Sequence, residues 1–282
     1  IRRHGVQRNL QPIPGVRNLI AVASGKGGVG KSTVAANIAL ALSAEGAAVG
    51  VLDADIYGPS QTQMLGLVGK VPDSKDGKTM LPLRNHGLQV MSIGFMVEED
   101  TPMIWRGPMV TSALQQLLTE TNWDSLDYLV VDLPPGTGDI QLTLAQRVPV
   151  SGCLIVTTPQ DIATLDARKA VQMFRKVEMS VLGIVENMST HICSQCGHEE
   201  PIFGSGGGSR MAEQYGVPLL GQLPLALRIR EDLDRGMPTV VADPDSELSA
   251  SYREVARRVA ARLAQTPRSL ALNLPQINIQ NT

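Results

Sequence analysis

Short apolar runs recur along this chain at residues 19–23, 49–52, 128–131, 153–157, 181–185 and 219–223. They are rich in valine, leucine and isoleucine, and they end in polar, proline or glycine residues. Continuous runs of this kind, without apolar–polar alternation, fit strands buried on both faces of a parallel sheet. Between them lie segments that read as helices: an alanine-rich stretch at 34–42, then 110–121, 163–177 and 209–215. Strand and helix alternate, which predicts an α/β fold with a doubly wound, mostly parallel sheet flanked by helices. In such a fold, ligands collect at the carboxyl ends of the strands.

One internal region breaks the alternation, and the two ends of the chain are read separately. Residues 1–17 are polar, with Pro12 and Pro14, and read as an arm or linker before a domain spanning 18–265. Residues 66–108 hold many Gly, Pro and Asp residues around short apolar patches at 80–83 and 88–91, which predicts a hairpin excursion or flexible insert. Near the end, Leu248, Tyr252, Val255, Val259 and Leu263 share one face of a predicted helix over 247–263. The tail, 266–282, carries Pro267 and Pro275 and reads as mobile.

Composition narrows the function classes. The 282 residues are 43% hydrophobic, enough for a large core, while the net charge of −2 gives no electrostatic reason to expect nucleic acid as a partner. Aromatic residues make up only 3%, so stacking platforms for single strands are few. No run approaches the roughly 18 apolar residues of a membrane span. Nor does an apolar signal core follow Ile1-Arg2-Arg3-His4. The expectation is a cytoplasmic protein with no membrane partner. Three cysteines are too few for a disulfide framework and point instead to metal or redox chemistry.

The first predicted strand runs into Gly25-Lys26-Gly27-Gly28-Val29-Gly30-Lys31-Ser32-Thr33, which satisfies G-x-x-x-x-G-K-[ST] between a strand and a helix. Gly27, Gly28 and Gly30 allow a tight turn whose N–H groups approach phosphate oxygens, and the helix beyond aims its positive end at the same anion. Lys31 would reach the β- and γ-phosphates, and Ser32 would ligate Mg2+. Lys26 is a second lysine at the loop's edge. Spacing leaves open a solvated side chain or one that reaches a nucleotide in another subunit, as an arginine finger does in trans.

Two carboxylate sites accompany the loop. Asp53-Ala54-Asp55 ends the strand at 49–52, where one carboxylate can hold a magnesium-bound water and the other orient the attacking water. Asp132 ends an apolar strand and precedes Leu133-Pro134-Pro135-Gly136-Thr137-Gly138, the arrangement in which a carboxylate holds Mg2+ and a loop senses the γ-phosphate.

Cys193-Ser194-Gln195-Cys196 supplies two thiols at a metal-ligand spacing, but only half of a tetrahedral or cubane site. Cys153 lies in an apolar strand and reads as a small hydrophobe. A symmetric homodimer would bring two such pairs together, and four thiolates suit one [4Fe-4S] cluster. An exposed thiol pair, a redox disulfide and a zinc knuckle remain open on the spacing alone.

Taken together, these segments resemble the Mrp/ApbC family of iron–sulfur cluster carriers, a branch of the deviant Walker A ATPases. The resemblance rests on the loop with both lysines, Asp53-Ala54-Asp55-Ile56-Tyr57-Gly58-Pro59-Ser60, Trp105-Arg106-Gly107-Pro108, the segment from Asp132 to Asp139, and Glu186-Asn187-Met188-Ser189 followed by Cys193 and Cys196. It implies a homodimeric, slowly hydrolysing ATPase that carries a bridging cluster, held by Cys193 and Cys196, to apo client proteins. It further implies that Lys26 contacts the partner subunit's nucleotide, that Asp55 helps activate water and that Asn187 recognises adenine. Many family members carry a small extra domain before the ATPase core, where this chain has a short arm. The rival reading is a positioning ATPase of the septum-site or partition type, which would need a basic membrane-binding helix or a basic patch for DNA. A dinucleotide-binding oxidoreductase fails, because the loop carries Lys-Ser in place of G-x-G-x-x-G.

Overall fold

A computed structural model describes residues 1–7, 10–74, 76–96 and 107–266, apart from the side chains of residues 107, 108, 139 and 140. Strand β1 (Val16–Ser24) lies in the middle of the sheet, paired in parallel with β5 (Leu126–Asp132) on one side and β6 (Gly152–Thr157) on the other. The sheet continues outward through β2 (Val49–Asp53) and β4 (Leu88–Ser92) in one direction and through β7 (Val181–Ile192) and β9 (Leu219–Ala226) in the other, all in parallel. Two short antiparallel strands finish it, β3 (Leu83–Asn85) against β4 and β8 (Glu199–Glu200) against β7.

The continuous apolar runs have the expected cause. Along β1, Leu19, Ala21 and Ala23 enter one buried cluster and Ile20 and Val22 the other. Strand side chains alternate in direction, so both faces must be apolar when helices cover both. One face is covered by α3 (Gly107–Thr119), α4 (Asp139–Arg147), α5 (Asp161–Lys176) and α6 (Gly207–Tyr215). The opposite face is covered by α1 (Lys31–Ala44), α8 (Thr239–Ala242) and α9 (Glu247–Gln265). The short helices α2 (Gln61–Met64) and α7 (Leu227–Asp234) lie near the strand ends.

Two regions differ from their sequence reading. The segment expected to be an excursion holds a hairpin, but its second strand, β4, is fully buried and joins the parallel sheet beside β2. His86 and Gly87 both take positive φ, the conformation that closes a tight two-residue turn. The Gly-, Pro- and Asp-rich flanks hid a core strand only five residues long. The N-terminal arm is tied down along part of its length. The His4 N–H donates to Asn18 Oδ1 at 2.9 Å, Asn18 Nδ2 donates to the Arg2 carbonyl at 2.8 Å, and Gln7 Nε2 donates to the Ala145 carbonyl at 3.1 Å. Trp105 and Arg106, and the tail beyond Thr266, lie outside the described residues.

Candidate nucleotide site and cysteine knuckle

The loop between β1 and α1 fits closely into its surroundings. A Cβ on Gly25 would lie 2.2 Å from the Asp166 backbone in α5, and Gly28 and Gly30 take φ of +81° and +78°. Only glycine adopts this path without strain. Gly30 precedes α1 without any side-chain cap, and no acidic residue occupies the first turn. The first N–H groups of α1 are therefore left for an anion. Lys26 is half-buried at the loop's mouth, and its carbonyl accepts from Ser24 Oγ at 2.8 Å.

Lys31 is only 5% exposed. Its ammonium pairs with Asp132 Oδ1, lies 3.6 Å from Asp55 Oδ2 and donates to Ser32 Oγ at 3.3 Å. Three buried carboxylates, Asp53, Asp55 and Asp132, thus face one ammonium. The Asp53 carboxyl is raised above the usual carboxylate range by burial first and by Asp132 second. Asp55 is raised by burial, against the pull of Lys31. The excess of negative charge and the orphaned atoms nearby, Asp55 Oδ1, Ser60 Oγ and Gln61 Oε1, suit a divalent cation and its waters.

The carboxylates divide the work. Asp53 accepts from the N–H groups of Asp55 at 3.1 Å, Ser60 at 2.9 Å and Gln61 at 3.0 Å, and from Ser92 Oγ at 3.1 Å. It is engaged in shaping the turn from Ala54 to Gln61, so of the expected magnesium ligands Asp132 and Ser32 are the pair that Lys31 bridges. Gln61 and Ser92, which sequence reasoning did not single out, complete this cluster. Nothing in their local pattern marks them, because the cluster acceptors of their side chains lie between 29 and 71 residues away. Beyond Asp132, the Gly136 N–H donates to the Ser24 carbonyl at 2.9 Å, so the Pro-Pro-Gly loop is hydrogen-bonded to the phosphate-loop strand.

A cavity of about 290 Å³ opens beside the loop, lined by Gly30, Thr33, Asn187, Met188, Pro224 and Leu225 among others. Asn187 Nδ2 donates to the Val29 carbonyl at 2.9 Å, and a Cβ on Gly30 would lie 2.3 Å from that nitrogen. Met188 adopts a left-handed φ of +56° where β7 shifts register against β9. A short stretch of one strand therefore separates the cavity wall from the cysteines.

Those cysteines sit in the turn between β7 and β8. The Cys193 N–H donates to the His198 carbonyl and the Gly197 N–H to the Cys193 carbonyl, each at 2.9 Å, with Gly197 at φ +71°. The N–H groups of Gln195 and Cys196 aim at the Cys193 sulfur and hold its thiol below the usual range, which favours the ligating thiolate. Cys193 is partly exposed and Cys196 is exposed. No third His, Cys, Asp or Glu joins them as a metal ligand among the described residues. Cys153 is fully buried in β6, and burial pushes its thiol far upward. No helix among the described residues is long and apolar enough to cross a membrane.

Known proteins are similar to this chain in sequence and in fold. The ParA family model, described as NUBPL iron-transfer P-loop NTPase, matches residues 15–260. An iron-sulfur cluster carrier protein of Salmonella typhimurium is 64% identical over 256 residues, covering 91% of this chain and 69% of that protein. The iron-sulfur cluster transfer protein NUBPL of Mus musculus is 51% identical over 259 residues, covering 91% and 81%. A nucleotide-binding protein from Archaeoglobus fulgidus, solved in complex with ADP, matches with a TM-score of 0.71 at 36% identity, covering 83% of this chain and 91% of that one. The cell division ATPase MinD of Pyrococcus furiosus shares the fold, with a TM-score of 0.64 at 22% identity over 86% of this chain and 98% of its own. On the family match and these identities, the chain belongs to the ParA-type family of NUBPL iron-transfer P-loop NTPases.

Proposed function

We propose that this protein is an ATP-binding, slowly hydrolysing carrier that takes up a [4Fe-4S] cluster between two copies of the chain and delivers it to apo client proteins. The observation that carries the reading is strand β7. It carries Asn187 on the wall of the cavity beside the phosphate loop and ends at a turn presenting two thiols, half the donor set of a cubane. A second copy related by a two-fold axis supplies the other half. The names of the relatives, iron-sulfur cluster carrier and transfer proteins, support the same cargo.

In this reading, the N–H groups of the loop from Gly27 to Thr33 cradle the phosphates. Lys31 turns from the carboxylates to the β- and γ-phosphates. Ser32 and Asp132 would hold Mg2+, which neutralises phosphate charge when bound with the nucleotide. Asp55 orients the attacking water with the oxygen atom that has no partner here. The cavity at Asn187 receives the base. Lys26, half-buried at the mouth, reaches the partner's nucleotide. Lys26→Ala should then slow hydrolysis more than it weakens binding, and heterodimers with Asp55→Asn should regain activity. Heterodimers with no regained activity would confine Lys26 to its own subunit. Free thiols that bind iron suit the reducing cytoplasm.

The positioning-ATPase reading is less well supported. Of the arginines on α9, Arg257 pairs with Glu45 and Arg258 with Glu254, which offsets much of the basic surface. The carrier reading is tested by cluster transfer. Protein loaded with iron and sulfide under anaerobic conditions should activate an apo [4Fe-4S] enzyme, while Cys193→Ala, handled identically, should not. Equal activation by both would overturn it.

A further inference from the structure

Gln61 has a chemistry that the roles above leave unused. It opens α2, and its side chain is closed off from solvent. Its Nε2 donates to two acceptors, the Ser32 carbonyl at 3.0 Å and Asp132 Oδ2 at 2.9 Å. Its Oε1 has no partner although it is buried. An amide used at both donors and orphaned at its acceptor costs free energy unless another group completes it. Asp55 Oδ1 and the hydroxyl of neighbouring Ser60 are also buried and unpartnered.

The other side of the same cluster shows what belongs there. The Lys31 ammonium bridges Asp132 Oδ1 and Ser32 Oγ, the two atoms expected to ligate a divalent cation. A cation already stands between them. When Lys31 turns to phosphate, Asp132 loses its ion-pair partner, while the Gln61 bond to its other oxygen can remain. That bond fixes which oxygen of Asp132 is free, and the bond to the Ser32 carbonyl fixes the first turn of α1 beside it.

We infer that Gln61 is a positioning residue for the divalent cation of this site. Nε2 holds Asp132 and the Ser32 backbone in place, and Oε1 accepts a hydrogen bond from a water on the ion. The inference rests on the nucleotide reading above. Groups that orient metal ligands typically contribute about 10–100-fold to metal affinity. Gln61→Leu removes both amide functions, and Gln61→Met does so with a flexible side chain of similar volume, so that one variant folds if the other packs badly.

The test is Mg2+ titration of fluorescent ATP-analogue binding, compared with binding of the same analogue in excess chelator. Both variants should raise the Mg2+ concentration for half-saturation about tenfold or more, and should lose clearly more affinity with metal present than in chelator. An unchanged Mg2+ requirement would overturn the inference, as would equal losses with and without metal, which would mark Gln61 as packing only. If the unaltered protein shows no Mg2+-dependent binding at all, the nucleotide reading itself falls, and this inference with it.

Discussion

The nucleotide site and the cysteine knuckle hold their chemistry in opposite ways. The first gathers residues at the ends of β1, β2, β4 and β5 and from within β7, buries Lys31 with its carboxylates, and balances three carboxylates against Lys31 with hydrogen bonds from Gln61 and Ser92. The second hangs from one hairpin, is open to solvent, and ends with two thiols that no other described side chain completes. A buried charge cluster must be satisfied within the chain or it destabilises the fold. An exposed thiol turn carries no such cost, so it can stand incomplete in one chain, as the proposed sharing between two copies requires. Integration and openness follow from what each site has to do. On the proposed reading, phosphate chemistry needs a fixed geometry, whereas a carried cluster must be able to leave.

The contrast can be broken most sharply at Lys31. Lys31→Ala leaves Asp132 and Asp55 buried without their cation, which should cost about 3–5 kcal/mol of stability. It should also abolish nucleotide binding by removing a charge-assisted contact to phosphate. Denaturant unfolding and nucleotide titration measure the two effects, and a variant as stable as the parent would show that the cluster is not integrated with the fold. A smaller loss is expected from Gly30→Ala. The backbone there is left-handed and a Cβ would meet the Asn187 amide, so about 1–3 kcal/mol is expected, together with a displaced wall of the cavity at Asn187. Undiminished stability and ATP affinity in that variant would contradict the close fit of loop and strand. The smallest effect on folding belongs to the knuckle. Cys193→Ala and Cys196→Ala should change stability by no more than about 0.5 kcal/mol and leave ATP binding intact. Either variant unfolding readily would erase the contrast between the two regions.

Much of the sheet was legible in the sequence, because strands buried on both faces leave unbroken runs such as residues 19–23 and 128–131. The phosphate loop and Asp132 were legible for a related reason. Their chemistry is compressed into contiguous residues whose spacing is fixed by a strand-to-helix turn. Strand β4 was obscured by its turn-rich flanks, although it lies wholly in the core. Gln61 and Ser92 were invisible because their roles arise from tertiary contacts. Gln61 donates to Asp132 across 71 positions, and no local pattern encodes that distance. Asp53 was legible as a carboxylate at a strand end, but not as the acceptor of four hydrogen bonds that shape the turn. The cysteine pair was legible from its spacing. The incompleteness of its donor set is a property of one chain, and the resemblance implied a dimer that a single chain does not display.

The central claim is that two copies share one cargo cluster through Cys193 and Cys196. Iron and sulfide should be reconstituted anaerobically, the product sized in its native state, and its iron counted. The account predicts a two-chain species carrying about four irons, lost entirely in either cysteine variant and unaffected by Cys153→Ala. A single chain that carries a full cluster, or a Cys196→Ala variant that retains about four irons per two chains, would contradict it.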